Sequence, residues 1–534
     1  MKRHRAGLIA AAAVLVSSLA ACSGGSSYPA STAGTTSGQA TSDIFTYDTN
    51  AAVMVDGWDP ATEYSDGIIA MSEMYETLTH YDPATQTIEP ELATSWTSAD
   101  DAKTWTFHLR HGVYFHTGRP MTAQAAKAAI LRTIKLGGGA SYIWAAVKMI
   151  DTPDNYTLVF HLSSPSALAL EASADYSAYI YDTQAAGGGN ALTSWLNAGH
   201  DAGTGPYTVA TWNKGQEFEV YLKQFGRYWG GWSGSHFTKV VFRVVPQDTT
   251  AAQLLRSGQV TFIEQIGPSL WSSFKGDSSI TTVSSPSWQN LLAQLNVKTL
   301  SLPVRQAVLY AIDYRGIIAA LRGAGVQSSG IVPPGMFGHF SDLPDYSYDK
   351  AKAAALLNSA GYGPGKKKLN LSLTYTQGDS NEQVVATIIK SDLAALNVNL
   401  STQSLAWPTQ WAKGKSSNAA QRQDIFMEYW WPDYPDPYSW FSNLLETESP
   451  PYYNLSYYSN KSLDNMINQV EPLIATNKNA AAQLYKNMQV TIFQQAPVVS
   501  LYNDNYQYAM LSGISGFRVD PAYPNVVFMH DLKP

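Results

Sequence analysis

The chain has 534 residues, one cysteine, and 35 Lys and Arg against 42 Asp and Glu, a formal net charge of −7. A lone cysteine excludes an internal disulfide, and an acidic balance whose only basic cluster is Lys366-Lys367-Lys368 argues against nucleic acid as a partner. Tyrosines number 32 and tryptophans 15 although only 14% of residues are charged, an aromatic excess that leans toward ligand or carbohydrate contact.

At the N-terminus Lys2, Arg3 and Arg5 precede an apolar run over 8–21 broken only by Ser17 and Ser18. This is the charged region, apolar region and small-residue exit of a secretory signal, shorter than a comfortable membrane span. Leu19-Ala20-Ala21-Cys22 resembles the bacterial lipobox, which implies removal of 1–21 and lipidation of Cys22; an ordinary signal peptide with an incidental cysteine is the alternative. Two or more acyl chains anchor stably, each buried methylene contributing about 0.8 kcal/mol. Residues 22–42 are rich in Gly, Ser, Thr and Ala and read as a flexible tether. Roughly 490 residues then remain, more than one core usually supports, so two or three domains are expected.

In the first part of the globular chain Trp105, Phe107 and Leu109 alternate, Gly112 turns the chain, and Val113 and Phe115 resume, which predicts a hairpin with one packed face. His108, His111 and His116 are close in sequence, but strand alternation sends His108 and His111 to opposite faces and no acidic or cysteine ligand lies beside them, so a metal site is not expected. A helix is predicted over 123–136, with Thr122 as its N-cap and Gly137 as its end. Residues 240–245, 249–256 and 260–263 read as strand, helix and strand. The same order returns at Leu369, Leu371, Leu373 and Tyr375, then Val385 to Leu396 behind Asp379-Ser380, then Val398 and Leu400. Such βαβ units require parallel pairing. Two α/β lobes are expected in place of one large sheet.

The stretch 424–441 joins a strand-like, aromatic segment, 425–431, to a turn stiffened by Pro432, Pro435 and Pro437. Asp433 and Asp436 stand on that turn among bulky rings. A fixed acid beside flat apolar walls suits a ligand with a positive end and an apolar body; the plainer alternative is that the rings are core and the acids form turns. Motifs for chemistry are missing: there is no Gly-x-Ser-x-Gly elbow, no His-Glu-x-x-His and no complete phosphate loop. Two acids three residues apart in a proline turn are badly placed to flank a glycosidic bond. No enzyme, cofactor or metal is expected.

The run Leu109-Arg110, Gly112-Val113, Phe115-His116, Gly118, followed by Thr122-Ala123, resembles the signature segment of the family 5 extracellular solute-binding proteins, the oligopeptide, dipeptide and nickel receptors of ABC importers. Gly203-Thr-Gly-Pro-Tyr207, the helix 305–313 that begins with Arg305, and the "YD..KA..LL..AGY" pattern of 348–362 resemble later family segments in the same order. The resemblance implies an α/β, periplasmic-binding-protein-like two-lobe (venus flytrap) fold in its large form. It places lobe I at 43–88 and 204–291 with a subdomain inserted at 89–203, lobe II at 292–498, and a C-terminal return to lobe I at 499–534. A chain that crosses twice between lobes makes a two-stranded hinge, beneath which a ligand is enclosed.

Glu428 to Pro437 resembles the family's "GW..DY.DP" strand and turn. By that resemblance Asp433 receives the α-ammonium group of a peptide ligand, Trp430 matches the family tryptophan, and the backbone at Trp431 pairs with the extended peptide. Trp407 matches the tryptophan of an upstream "EW", although Ala406 replaces the glutamate and Tyr429 the usual glycine. Tyr434 and Tyr64 are added as aromatic walls, while Asp436 is assigned to the turn. The expected function is that of a monomeric, lipid-anchored receptor that captures peptides outside the cytoplasm and passes them to a permease. An oligosaccharide receptor of the same fold is the main alternative, ahead of a nickel or metallophore receptor and of a surface protein without a transport role.

Overall fold

The computed structural model describes residues 43–49, 57–64, 67–213, 219–327 and 329–534; the expected signal peptide, Cys22 and the tether lie outside them. Ser42–Pro534 forms one compact unit. Among the described residues the largest sheet runs, in hydrogen-bonded order, Val398–Leu405, Leu369–Thr376, Ile425–Trp430, Ile280–Leu295, Val498–Leu511, Phe262–Ile263, Ile44–Thr49, Lys239–Val244, Glu219–Gln224 and Tyr207–Asn213. The separate sheets expected from the sequence are therefore joined. The join is made by Ile280–Leu295 and Val498–Leu511, strands of 16 and 14 residues that each belong to both halves.

These two crossing strands pair antiparallel from Ile280↔Leu511 to Pro286↔Asn505, lose register over 287–289, and resume at Asn290↔Asn503. Before the break Val498–Leu511 also pairs with Phe262–Ile263, and after it Ile280–Leu295 pairs with Ile425–Trp430. Pro286 has no N–H to give the ladder and the residues after it bulge, so the chain bends where the two halves meet.

In one half Leu369–Thr376, the helix Ser380–Ala394 and Val398–Leu405 form the expected parallel unit, in register from Leu369↔Val398 to Thr376↔Leu405. Asp379 caps that helix by accepting from the Glu382 N–H at 2.7 Å. Leu369, Leu371 and Leu373 share a core with Val385, Ile389 and Leu393, each such burial being worth roughly 1.5–3 kcal/mol. In the other half Lys239–Val244, the helix Asp248–Arg256 and Phe262–Ile263 follow one another as expected. The two strands are not neighbours, however, because Ile44–Thr49 lies between them, parallel to both.

A separate four-stranded antiparallel sheet orders Ala93–Ser98, Thr104–Leu109, Thr157–Leu162 and Val147–Asp154. The helix Ala123–Leu136 has Thr122 as N-cap and ends at Gly137 with φ +63°. The hairpin predicted over 105–115 does not form. Thr104–Leu109 pairs instead with Ala93–Ser98 and Thr157–Leu162, Gly112 turns the chain away at φ +75°, and Val113 accepts from the Met121 N–H in a tight turn of its own. The three histidines part company: His108 is exposed, His111 stacks on Tyr156 at 3.7 Å, and His116 is held by Asp201 and the Gly205 carbonyl.

Arg305 on the helix Leu302–Ala311 is 6% exposed and donates to the carbonyls of Leu300 (2.6 Å), Gln495 (2.7 Å) and Ala496 (3.1 Å). It thereby satisfies oxygens left open at the end of the helix Lys478–Gln495. Arg305→Ala is expected to lower the unfolding free energy by about 3 kcal/mol, because buried carbonyls lose their donors, and Arg305→Lys to regain a minor part. Urea unfolding of the three proteins checks this; a loss under about 1 kcal/mol for the alanine variant would contradict it.

Candidate functional site

The strands Leu369–Thr376, Val398–Leu405 and Ile425–Trp430 run parallel, so their carboxyl ends fall on one side of the sheet. The residues at and just past those ends, Thr376 with Asp379, Ala406 with Trp407, and Trp430 with Asp433, line one cavity of about 650 Å³. The opposite wall includes Glu264 and Gln265, which follow Phe262–Ile263, together with Tyr64. Gln289, from the register break of the crossing strands, also reaches it. The crevice beyond the carboxyl ends of parallel strands is where open α/β sheets place their ligands.

Asp433 sits on this wall, partly accessible from the cavity although protein surrounds it. Its Oδ2 accepts from the Tyr142 hydroxyl at 2.6 Å and from the Asn443 amide at 3.1 Å, and its carbonyl accepts from the Tyr523 hydroxyl at 2.7 Å. Burial pushes the carboxyl up to about 6, and the two side-chain donors only partly counter it. The acid is thus oriented and half desolvated, and among the described residues no cation neutralises it.

Of the residues expected from the sequence, Asp433, Trp430, Trp431, Trp407 and Tyr64 meet at the cavity. The Trp431 indole donates to the Tyr176 hydroxyl at 3.2 Å, and the Trp430 indole to Ser439 Oγ at 3.3 Å. Trp407 lies 5.6 Å from Trp411, ring to ring, and Tyr64 lies 6.1–6.4 Å from Trp411, Tyr452 and Tyr453. Tyr434 requires correction. It is 3% exposed, belongs to the core and does not line the cavity, because Pro432 and Pro435 fix the backbone on both sides and successive side chains leave it in different directions. Asp436 is buried and accepts from the Tyr438 N–H and the Tyr485 hydroxyl.

The sequence reading missed Tyr142, Tyr176, Asn443, Trp411, Tyr452 and Tyr453. Trp411 carried a signal, since it stands four residues after Trp407 on the helix Trp407–Gly414. Tyr142 follows the glycine loop at 137–139, but nothing local marks it as a partner for a residue 291 positions away. Asp379, Glu382 and Glu428 add carboxyls to the wall. Among the described residues no group of three or more His, Cys, Asp or Glu is arranged to hold a metal ion.

The sequence pattern of the bacterial extracellular solute-binding proteins, family 5 Middle, matches residues 87–450. A probable D,D-dipeptide-binding periplasmic protein of Escherichia coli is 27% identical over 86% of this chain and 88% of its own length. The heme-binding protein A of Haemophilus influenzae is 28% identical over 92% of each. The fold is similar to that of the ABC transporter-associated periplasmic binding protein DppA of Helicobacter pylori in complex with the peptide STSA, at a TM-score of 0.80, 22% identity, and coverage of 92% of this chain and 98% of that one.

Glu428 is 1% exposed, accepts from the Gln294 amide, and is pushed by burial from 4.5 up to about 8. A carboxyl raised in the fold binds its proton more tightly folded than unfolded. Its contribution to stability is therefore present below its unfolded value and is lost as pH rises toward 8. Glu428→Gln, which imitates the protonated acid, is expected to match the parent's Tm near pH 4 and to exceed it at about pH 8. Thermal unfolding of both proteins across that range checks this; a difference independent of pH would show that Glu428 is ionised in the fold.

Proposed function

The chain belongs to the bacterial extracellular solute-binding proteins of family 5, and on that footing we propose that it captures peptides in the cavity between its lobes and delivers them to the permease of an ABC importer. One observation carries the reading: a carboxyl oriented by Tyr142 and Asn443 lines the cavity beside aromatic walls and has no basic side chain as partner among the described residues. A ligand ammonium supplies the missing charge through a charge-assisted bond in a water-poor site. The edge of Ile425–Trp430 supports an extended ligand. Leu369–Thr376 pairs with it only at Leu373↔Ile425 and Thr374↔Phe426, so from Glu428 onward that side has no strand partner and suits β-augmentation. The peptides named for similar proteins support the same class. An oligosaccharide would use the rings and offer hydroxyl donors to Asp433, but would bring no positive charge to it.

Closure follows from differential affinity. The lobes of the proposal are those drawn from the sequence, 43–88 with 204–291 and 499–534 on one side, the subdomain 89–203 attached to it, and 292–498 on the other. The bonds Tyr142 to Asp433 and Trp431 to Tyr176 cross between them. A ligand that touches both sides favours the closed state by the difference in its affinity for closed and open forms. In the same proposal Cys22 carries the lipid that keeps the receptor at the outer face of the membrane.

Asp433→Ala is expected to weaken peptide binding by about 2–5 kcal/mol, part of which is the ammonium left without a counter-charge, and to change little for an N-acetylated peptide. In the parent, affinity is expected to fall about tenfold per pH unit below about 6, because the anion that receives the ammonium is lost as pH drops through its raised pKa. Calorimetry measures both. Equal peptide affinity in parent and variant would remove Asp433 from the site.

A further inference from the structure

Among the described residues, seven that line the cavity are Asp or Glu and none is Lys, Arg or His. Most of the seven are answered by the protein itself. Asp59 is paired with Arg132, Glu264 accepts from Tyr47 and Thr49, Glu382 accepts from the main chain of Thr376, and Glu428 accepts from Gln294. Lys415 does not itself line the cavity; it lies 4.0 Å from the ring of Tyr452 and 5.1 Å from that of Trp411, two rings of the wall.

Unlike those four buried acids, Asp379 stays partly accessible on the cavity wall. It caps the helix Ser380–Ala394 through the Glu382 N–H, accepts from the Tyr429 hydroxyl, and, like Asp433, makes no ion pair with a basic side chain among the described residues. Burial, with a smaller contribution from the Asp248 carboxylate, raises its carboxyl to about 6. A separate observation points the same way. Asn525 is 5% exposed and lines the cavity, and its Oδ1 has no hydrogen-bond partner among the described residues. Among the described residues the wall thus offers acceptors and negative charge, and no basic side chain that would pair with a ligand carboxylate. An enclosed carboxylate without a cation is strongly disfavoured.

We propose that the cavity selects a short cationic peptide, its α-ammonium on Asp433 and the ammonium or guanidinium of a Lys or Arg side chain on Asp379, with its carboxyl end amidated or outside the cavity. The proposal rests on the peptide reading for its first charge and adds the second.

Calorimetry with Ala-Lys amide and Ala-Gln amide, on the parent and on Asp379→Asn and Asp433→Asn, tests it. Asparagine is itself a good N-cap, so the helix keeps its start, and matching Tm values verify the fold. Ala-Lys amide is expected to bind the parent at least about tenfold more tightly than Ala-Gln amide. Asp379→Asn is expected to erase that margin while leaving Ala-Gln amide within about twofold, and Asp433→Asn to weaken both peptides. Equal binding of the two peptides by the parent, or a margin that survives Asp379→Asn, overturns the second charge. If Asp433→Asn still weakens both peptides in that case, the peptide reading stands without it. Absence of binding by either peptide amide overturns both.

Discussion

Two long strands that belong to both halves impose the geometry on which everything else rests. Because Ile280–Leu295 and Val498–Leu511 stay hydrogen-bonded on either side of 287–289, the parallel strands of one half and those of the other are tied into one ladder. Their carboxyl ends consequently meet at a common crevice. The break in register is also where function is written into the backbone, since the bulged residues bring Gln289 to the cavity. Beneath it Asp504, 1% exposed, takes long bonds from Gln265 (3.2 Å) and Gln289 (3.4 Å), and its Oδ1 has no partner among the described residues. A buried acid so poorly satisfied raises the energy of this arrangement.

The same economy governs Asp433. Rings and prolines hold it in a surrounding that disfavours its ionised form, and two hydrogen bonds fix its direction without supplying charge. Unliganded, the site therefore holds an anion less stable than one in water. In the proposed reading a ligand ammonium relieves that state, whereas a neutral ligand of equal shape does not, so discrimination comes from charge.

What was legible in the sequence was local. Thr122 and Asp379 announced helix starts, Gly137 an end, and the alternation of Leu369, Leu371 and Leu373 a strand, because each signal acts within a few residues. Trp430, Trp431 and Asp433 stood out because an aromatic strand running into a proline turn is rare. What failed was non-local. Ile44–Thr49 enters between strands about two hundred residues later, and no pattern within either segment marks the insertion. The 105–115 hairpin was drawn from a correct alternation with the wrong partner, since Ala93–Ser98 and Thr157–Leu162 compete for the same edges. Tyr434 was included for its ring alone, although the prolines around it decide where that ring points.

The division of labour in the cavity follows from the two kinds of surface it presents. In the proposed reading strand edge and rings are tolerant: main-chain pairing from Glu428 onward would ignore side chains, and Trp407, Trp411, Tyr452 and Tyr453 would accept apolar bodies of many shapes. Charge is read more strictly, because in a desolvated space an unmatched ion is penalised far more than an imperfect apolar fit. The ring cluster already holds a positive charge in Lys415 over Tyr452, so it adds no unmet demand. Asp433 and Asp379 are two carboxyls on the cavity wall that follow adjacent parallel strands. The separation between those strand ends is set by the sheet, which in the proposed reading makes the spacing of positive charges along a ligand, more than its side-chain shapes, the property the cavity selects.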